Sequence, residues 1–406
     1  MEVTKTLKFL KLASVPFAQA IRSFGLIFYF ELHLGTSGVA FWAMFTTSYS
    51  AFYLIANLNL NAAMTRFFPE NADTDKNSNM FLYVLLHTLI SIVLLVLISQ
   101  FLGLAYIVSI FNKIGVIGFT FYIMTEVAFL CYYSYFRSIG NYNRQVLLIW
   151  YRLILDFIIL VCIYIYFEDP TEMLIILGLV LSNFIILIIS FDSMLINKIK
   201  SFSLNMVSIK KYYFFGIIMF IPTLGNWVIN NIDRIIIDQR YTDAELAQYF
   251  LATRIGFVLT FSVSPFYAVY QRRYIQDKSL NVKRTMNIFV MVQVALSLGI
   301  FTAFIFLKYT DLSITLNLIS YDLILAALLG FLLYSCFSAL NVFLLVSLLS
   351  SEIVVQWVKF IVIYLTFIMP SIYLFGLVGP LISLCASSMI IYAMYFPRLK
   401  KNVSVG

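Results

Sequence analysis

Twelve apolar segments, each long enough to cross the hydrocarbon of a bilayer, run through the chain from end to end and leave little room for anything else. A spanning helix needs about 20 predominantly apolar residues. Hydropathy places such segments near 8–32, 39–61, 80–103, 114–136, 145–167 and 173–194, and again near 212–236, 246–270, 286–307, 322–348, 353–374 and 377–396. Of the 406 residues, 62% are hydrophobic and 11% charged, far from the balance of a soluble domain. A soluble enzyme is excluded. The expected fold class is all-α, a polytopic membrane protein of about 12 transmembrane helices.

The first apolar segment continues past Arg22 to about Leu32 without a small-residue cleavage site, so it is expected to be a retained helix and not a cleaved signal. Cys131, Cys162, Cys336 and Cys385 lie in apolar stretches without C-x-x-C or metal spacing and are expected to be buried thiols. His33, expected in a short outer loop, and His87, in the third span, offer no paired metal ligands. The sequence holds no G-x-x-x-x-G-K-[ST] segment for nucleotide binding. No cofactor is expected.

With the N-terminus inside, one face of the membrane collects Lys5, Lys8, Lys11, Arg66, Lys76, Arg137, Arg144, Lys198, Lys200, Lys210 and Lys211. To these it adds Arg272, Arg273, Lys278, Lys283 and Arg284 before the ninth span, and Arg398, Lys400 and Lys401 at the end. The other face keeps Lys113, Arg234, Arg240 and Lys308, and its connection between the fifth and sixth spans is acidic, with Glu168, Asp169 and Glu172. The positive-inside rule then places both termini in the cytoplasm. The net charge of +8 is mostly this bias, so no nucleic-acid partner is expected.

The polar connection over 195–211 divides the chain into halves of equal helix number, 1–200 and 201–406, each expected to form a six-helix lobe. Their openings echo one another: Ser14-Val15-Pro16 in the first span matches Phe220-Ile221-Pro222 in the seventh. An even number of spans leaves both halves in the same orientation, so a duplication would be parallel, as in many transporters. The alternative is that proline is simply frequent in membrane helices.

The segment Gly225–Arg234 (GNWVINNIDR), followed by Ala247–Ala252 (AQYFLA) and Pro265-Phe266, resembles the seventh and eighth helices of polysaccharide flippases. Leu34–Gly38 resembles that family's first outer loop. Ala62–Glu70 (AAMTRFFPE) resembles the end of its second helix, and Phe375–Ser383 the Gly-rich start of its last. The glycine that usually precedes the eighth-helix tyrosine is replaced by Ala247-Gln248. The chain is thus similar to O-antigen, Wzx-type flippases of the multidrug, oligosaccharidyl-lipid and polysaccharide exporter superfamily. The resemblance implies a multi-pass protein of the bacterial cytoplasmic (inner) membrane with a polyprenyl-diphosphate-linked oligosaccharide as cargo. Membrane lipid, and the polysaccharide polymerase and chain-length proteins, are the further partners it implies.

Charges deep in spans are costly, about 2.5–3.5 kcal/mol each on insertion scales, so each is a functional candidate. Arg22 lies fourteen residues beyond Lys8, too deep to reach the inner interface easily. It needs an anionic partner or a water-filled cavity, and a diphosphate would accept its planar fork. A structural pair with an acidic neighbour is the alternative. Arg254 in the eighth span is the second candidate, against a snorkelling arginine. Both are expected to face a cavity between the lobes. Asp233 and Arg234 lie near the outer boundary, as a ligand contact or an interfacial pair. Asn230 and Asn231 could bond sugar hydroxyls or hold helices together. Arg152 and Asp156, four apart, are expected to neutralise each other on one helix face. Glu126 reads as a lone carboxyl able to carry a proton if burial neutralises it, and Lys359 as a snorkelling cation.

The cationic surplus favours an anionic cargo. The expected function is a lipid-linked oligosaccharide flippase working by alternating access, and not an enzyme. A cation-coupled multidrug exporter should carry acids where Arg22 stands. A membrane polymerase should expose a large outer loop, and the outer loops here are short.

Overall fold

A computed structural model describes residues 2–68, 74–103, 105–190, 206–263, 266, 282–309, 314–347 and 350–403. Pro69-Glu70, Lys198, Lys200, Pro265, Arg272, Arg273 and Lys278 lie outside the described residues, as do the side chains of Lys5, Lys8, Lys11, Lys76, Arg398, Lys400 and Lys401. Every regular element among the described residues is helical. In lipid an unpaired backbone amide has no water to turn to, so a spanning segment must satisfy its own hydrogen bonds, and a helix does so locally.

In chain order the helices are α1 (Glu2–Asn57), α2 (Leu60–Phe67), α3 (Thr74–Leu102), α4 (Ala105–Ser138), α5 (Tyr142–Tyr166), α6 (Glu172–Ser190) and α7 (Met206–Asp238). They continue as α8 (Asp243–Phe257), α9 (Val282–Tyr309), α10 (Ile314–Leu318), α11 (Tyr321–Ser347), α12 (Ser350–Phe375) and α13 (Gly379–Val403). Nine stretches among the described residues are long and apolar enough to span, and two of them, Ser14–Asn57 with 44 residues and Val354–Phe396 with 43, are each long enough for two spans. α8, prolonged by the 3-10 turn Val258–Ser262, fills the remaining place. The protein is an all-α, polytopic membrane protein of about 12 transmembrane helices in two lobes.

The expected loop at Leu34–Gly38 is reduced to a bend. α1 is helical on both sides of Gly35, whose φ of 65° and ψ of −155° turn the chain at one residue. A side chain disfavours that conformation, and glycine has none. His33 accordingly lies in the helix, its ring 4.5 Å from Tyr29 and 5.3 Å from Tyr164, and not in a loop.

The chain packs as two units. One comprises Met1–Leu34 and Met44–Leu224, the other Gly35–Ala43 and Gly225–Gly406, so the boundary lies inside α7. In the first, an aromatic core gathers Phe45, Phe52, Phe119 and Tyr122, with ring centroids 4.8 to 5.8 Å apart. Trp150 donates to Ser14 Oγ at 3.3 Å and Tyr29 donates to the Leu160 carbonyl at 3.0 Å, fastening α5 to α1. In the second, Phe337 of α11 stacks on Phe360 of α12 at 4.8 Å, and Tyr334 donates to Asn226 Oδ1 at 2.6 Å. Lipid tails are as apolar as the helices, so close packing and interhelical hydrogen bonds of this kind supply the association.

One further expectation changes. Cys162 is exposed on α5 and Cys385 is half-buried, whereas Cys131 and Cys336 are buried; Cys162 lies in the apolar run beyond Asp156, where apolarity alone does not mark which side turns to lipid. Lys113 Nζ lies 3.3 Å from Glu172 Oε1, so these two residues, both assigned to the less basic face, are at one end of the first unit.

Candidate functional site

Each unit carries a cluster of charged side chains. In the first, Arg22 Nε of α1 donates to Asp156 Oδ2 of α5 at 2.5 Å. Arg152, one turn earlier on α5, donates through Nη2 to Glu126 of α4, and Asn183 Nδ2 of α6 reaches the same Glu126 oxygen at 3.2 Å. The Arg152 guanidinium also lies over the Phe129 ring, 4.3 Å from its centroid. Arg152, Asp156 and Glu126 are buried.

The local Arg152–Asp156 pair expected from spacing does not form, and Glu126 is not a lone carboxyl. The physical reason is the cost of an uncompensated charge in low dielectric. An intrahelical pair would satisfy α5 alone, whereas the crossed pairing gives each cation one acid and ties α1, α4, α5 and α6 together. Buried Arg22 Nη2, Arg152 Nε, Asp156 Oδ1 and Asn183 Oδ1 have no protein hydrogen-bond partner.

In the second unit, Thr242 and Glu245 form a capping box that starts α8 and fixes its rotation. Seven residues on, Tyr249 donates its hydroxyl to Asp233 Oδ2 of α7. The Asp233 Oδ1 accepts from the Arg234 amide at 2.8 Å, and Arg234 Nη1 donates to Asn231 Oδ1 at 3.2 Å. Phe250, fully buried, has the Arg234 guanidinium 4.7 Å from its ring centroid and that of Arg254 4.9 Å away. One aromatic ring thus holds two planar cations, an attraction worth about 0.5–2 kcal/mol for each.

The structure therefore gathers Arg22, Glu126, Arg152 and Asp156 in one unit, and Asn231, Asp233, Arg234 and Arg254 in the other. Asn230 donates to the Asn226 carbonyl at 2.7 Å and to its Oδ1 at 3.1 Å. Lys359 is exposed on α12. Sequence reasoning missed Asn183, Phe250 and the bonding role of Tyr249. Asn183 had a visible signal, since Ser182-Asn183 interrupts an otherwise apolar span.

The family model described as polysaccharide biosynthesis protein matches residues 8–270, more than half of the chain. The chain belongs to this polysaccharide biosynthesis family. The fold of this family member is similar to that of an inward-facing multidrug resistance MATE family transporter of the MOP superfamily, at 17% identity and a TM-score of 0.68, covering 98% of each chain. An outward-facing structure of such a transporter gives 15% and 0.67, over 98% of this chain and 96% of the other. A MOP superfamily transporter from Pyrococcus furiosus, described by a binding pocket of reverse polarity, gives 13% and 0.63, over 98% and 95%. No curated protein matches the chain.

Proposed function

We propose that this membrane protein moves a polyprenyl-diphosphate-linked oligosaccharide, such as an O-antigen repeat unit, from the inner to the outer leaflet of a bacterial cytoplasmic membrane by alternating access, with both termini cytoplasmic. The observation that carries the reading is the placement of the Arg234 and Arg254 guanidinium groups against one buried ring, Phe250. A diphosphate is a dense, planar-accepting anion, and guanidinium is the side chain suited to it. Each fork presents five N–H donors in a fixed plane. Asp233 does not compete as a free anion, because Tyr249 donates to it. The Asn230 carbonyl oxygen, whose amide nitrogen is committed to Asn226, is an acceptor for a sugar hydroxyl. In the first unit, Arg22 Nη2 is left over from the pair with Asp156 and is a separate candidate for a phosphate.

Glu126 and Asp156 serve Arg152 and Arg22 as counter-ions. The cargo is then pulled across by its consumption on the outer side, where the polymerase and chain-length proteins act, and not by protonation of Glu126. The test is flipping of a lipid-linked oligosaccharide in reconstituted vesicles. Arg234→Ala and Arg254→Ala should each lower the rate about tenfold or more, with Lys at either position retaining part of it. Unchanged flipping in both alanine variants, or efflux of a cationic dye with no flipping, would overturn the reading and favour the multidrug alternative.

A further inference from the structure

The second span is broken where its sequence alternates, at Asn57-Leu58-Asn59-Leu60-Asn61. Leu58 takes a φ of 45° and Asn59 a φ of 58°, both left-handed, and they separate the end of α1 at Asn57 from the start of α2 at Leu60. Asparagine visits that region readily, whereas a leucine there brings its Cβ too close to the following carbonyl. Helical bonding stops with the Leu58 amide on the Leu54 carbonyl at 3.2 Å and resumes with the Ala62 amide on the Asn59 carbonyl at 3.0 Å. The Asn61 amide, which an unbroken helix would give to the Asn57 carbonyl, donates instead to the Asn57 side-chain oxygen at 3.3 Å.

The three asparagines hold the break from different sides. Asn57 Nδ2 donates to Thr88 Oγ1 of α3 at 3.1 Å, Asn61 Nδ2 to the Tyr53 hydroxyl at 2.6 Å, and Asn59 Nδ2 to the Met219 carbonyl of α7 at 2.8 Å. That carbonyl also accepts from Thr223 Oγ1 at 3.0 Å, and Pro222 removes the amide that would bond its neighbour, the Ile218 carbonyl. Gly216 lets α7 approach, since a Cβ there would lie 2.8 Å from the Leu58 carbonyl oxygen. Irregular backbone at membrane depth survives only where such groups satisfy it, and a strained residue persists only where its surroundings over-determine it.

We propose that Leu58–Asn59 is a two-state switch, broken and docked on α7 in this conformation and wound into one continuous helix from α1 to α2 in the other. Opposing terms balance the two forms. Docking gains the Asn59 bond to Met219 and the Asn57 cap on the Asn61 amide, and it holds Leu58 left-handed. Winding relieves Leu58 and restores the helical bonds of the Asn59 and Leu60 amides to Ile55 and Ala56, at the loss of the contact with α7. A fixed kink would be better served by glycine at 58, which takes a positive φ without penalty. Leucine is a far better helix former and keeps the wound form within reach. The switch rests on the alternating access proposed above and not on the identity of the cargo.

Nitroxide labels on Ile55→Cys/Arg66→Cys, two exposed positions eleven residues apart, bracket the break, with Cys162→Ala and Cys385→Ala removing the accessible native thiols. In a continuous helix the two positions stand about 17 Å apart along the axis. Leu147→Cys/Ile158→Cys, the same separation on unbroken α5, supplies the reference distance. Dipolar electron paramagnetic resonance on the full chain in lipid vesicles should find two distances for the first pair, one of them equal to the reference. Asn59→Ala, which removes the bond to α7, should enrich the reference distance about fivefold, the worth of one hydrogen bond. Leu58→Gly, which accepts a left-handed φ and disfavours a helix, should deplete it by a similar factor. Gly216→Ala, which pushes the Leu58 carbonyl off α7, should act as Asn59→Ala does and provides the test if that variant does not fold. One distance that none of these variants moves, or a ratio that Asn59→Ala and Leu58→Gly shift in the same direction, would overturn the proposal. Two distances answering in opposite directions, in vesicles that flip no lipid-linked oligosaccharide, would overturn the cargo reading and leave the switch standing.

Discussion

Arg152 reaches across from α5 to Glu126 on α4 and leaves Asp156, four residues along its own helix, to Arg22 of α1. Because the two ion pairs interlock, removing one acid strands a buried cation. Glu126→Gln should therefore lower stability by about 3 kcal/mol, the scale for breaking a buried pair from one side. The double variant Arg152→Met/Glu126→Leu should regain most of the loss. Thermal unfolding in detergent reads both, and a single variant as stable as the parent would refute the interlocking arrangement.

Phe250 holds two guanidinium groups, so its aromaticity matters beyond its volume. Phe250→Leu keeps an apolar side chain of similar size and removes the ring quadrupole. Flipping in vesicles should fall about three- to tenfold, by the worth of one or two cation–π contacts. Phe250→Tyr should retain the rate. Equal rates for Leu and Tyr would show that the ring only fills space.

The helix number was legible because lipid offers a spanning backbone almost no other solution, and each long apolar run therefore means a helix. The deep charges were legible for the same reason: Arg22, Glu126, Arg152, Asp156 and Arg254 stand out in apolar text. Their partners were not. Whether Arg152 meets Asp156 or Glu126 depends on which helices are neighbours, and spacing along one helix carries no information on that. Phe250 was hidden among 40 phenylalanines, with nothing in its local pattern to separate a cation platform from packing. The exposure of Cys162 was hidden too, since it lies in the apolar run beyond Asp156 and off the face that Arg152 and Asp156 mark.

Gly225, the first residue of the GNWV segment, has a packing role that predicts a separate outcome. A Cβ added there would lie 2.6 Å from the Trp357 ring and 3.1 Å from Ile361 Cδ1 of α12. Trp357 itself is packed against Phe337 at 5.4 Å and Phe360 at 6.0 Å and has little space to yield. Gly225→Val should cost about 1–3 kcal/mol through overpacking, visible as a lower unfolding midpoint. Trimming Trp357 to Leu in the same chain should relieve part of it. A Val variant as stable as the parent would mean that α7 and α12 separate easily at this point.

Arg22 carries two assignments, counter-ion to Asp156 and phosphate contact through Nη2, and a double replacement separates them. Asp156→Asn alone leaves Arg22 buried without its acid and should destabilise the protein. Arg22→Leu alone strands Asp156 in the same way. The combination Arg22→Leu/Asp156→Leu removes both charges from the low-dielectric interior and should bring the unfolding midpoint back near that of the parent, because a well-packed apolar pair substitutes for a buried ion pair at little net cost. If Arg22 only balances Asp156, flipping returns along with stability. If its remaining nitrogen contacts the diphosphate, the double variant is stable yet transports slowly, with the deficit appearing as weaker half-saturation by the lipid-linked substrate. The second outcome is the one expected here, and full recovery of transport in a stable double variant would leave Arg22 only as the counter-ion of Asp156.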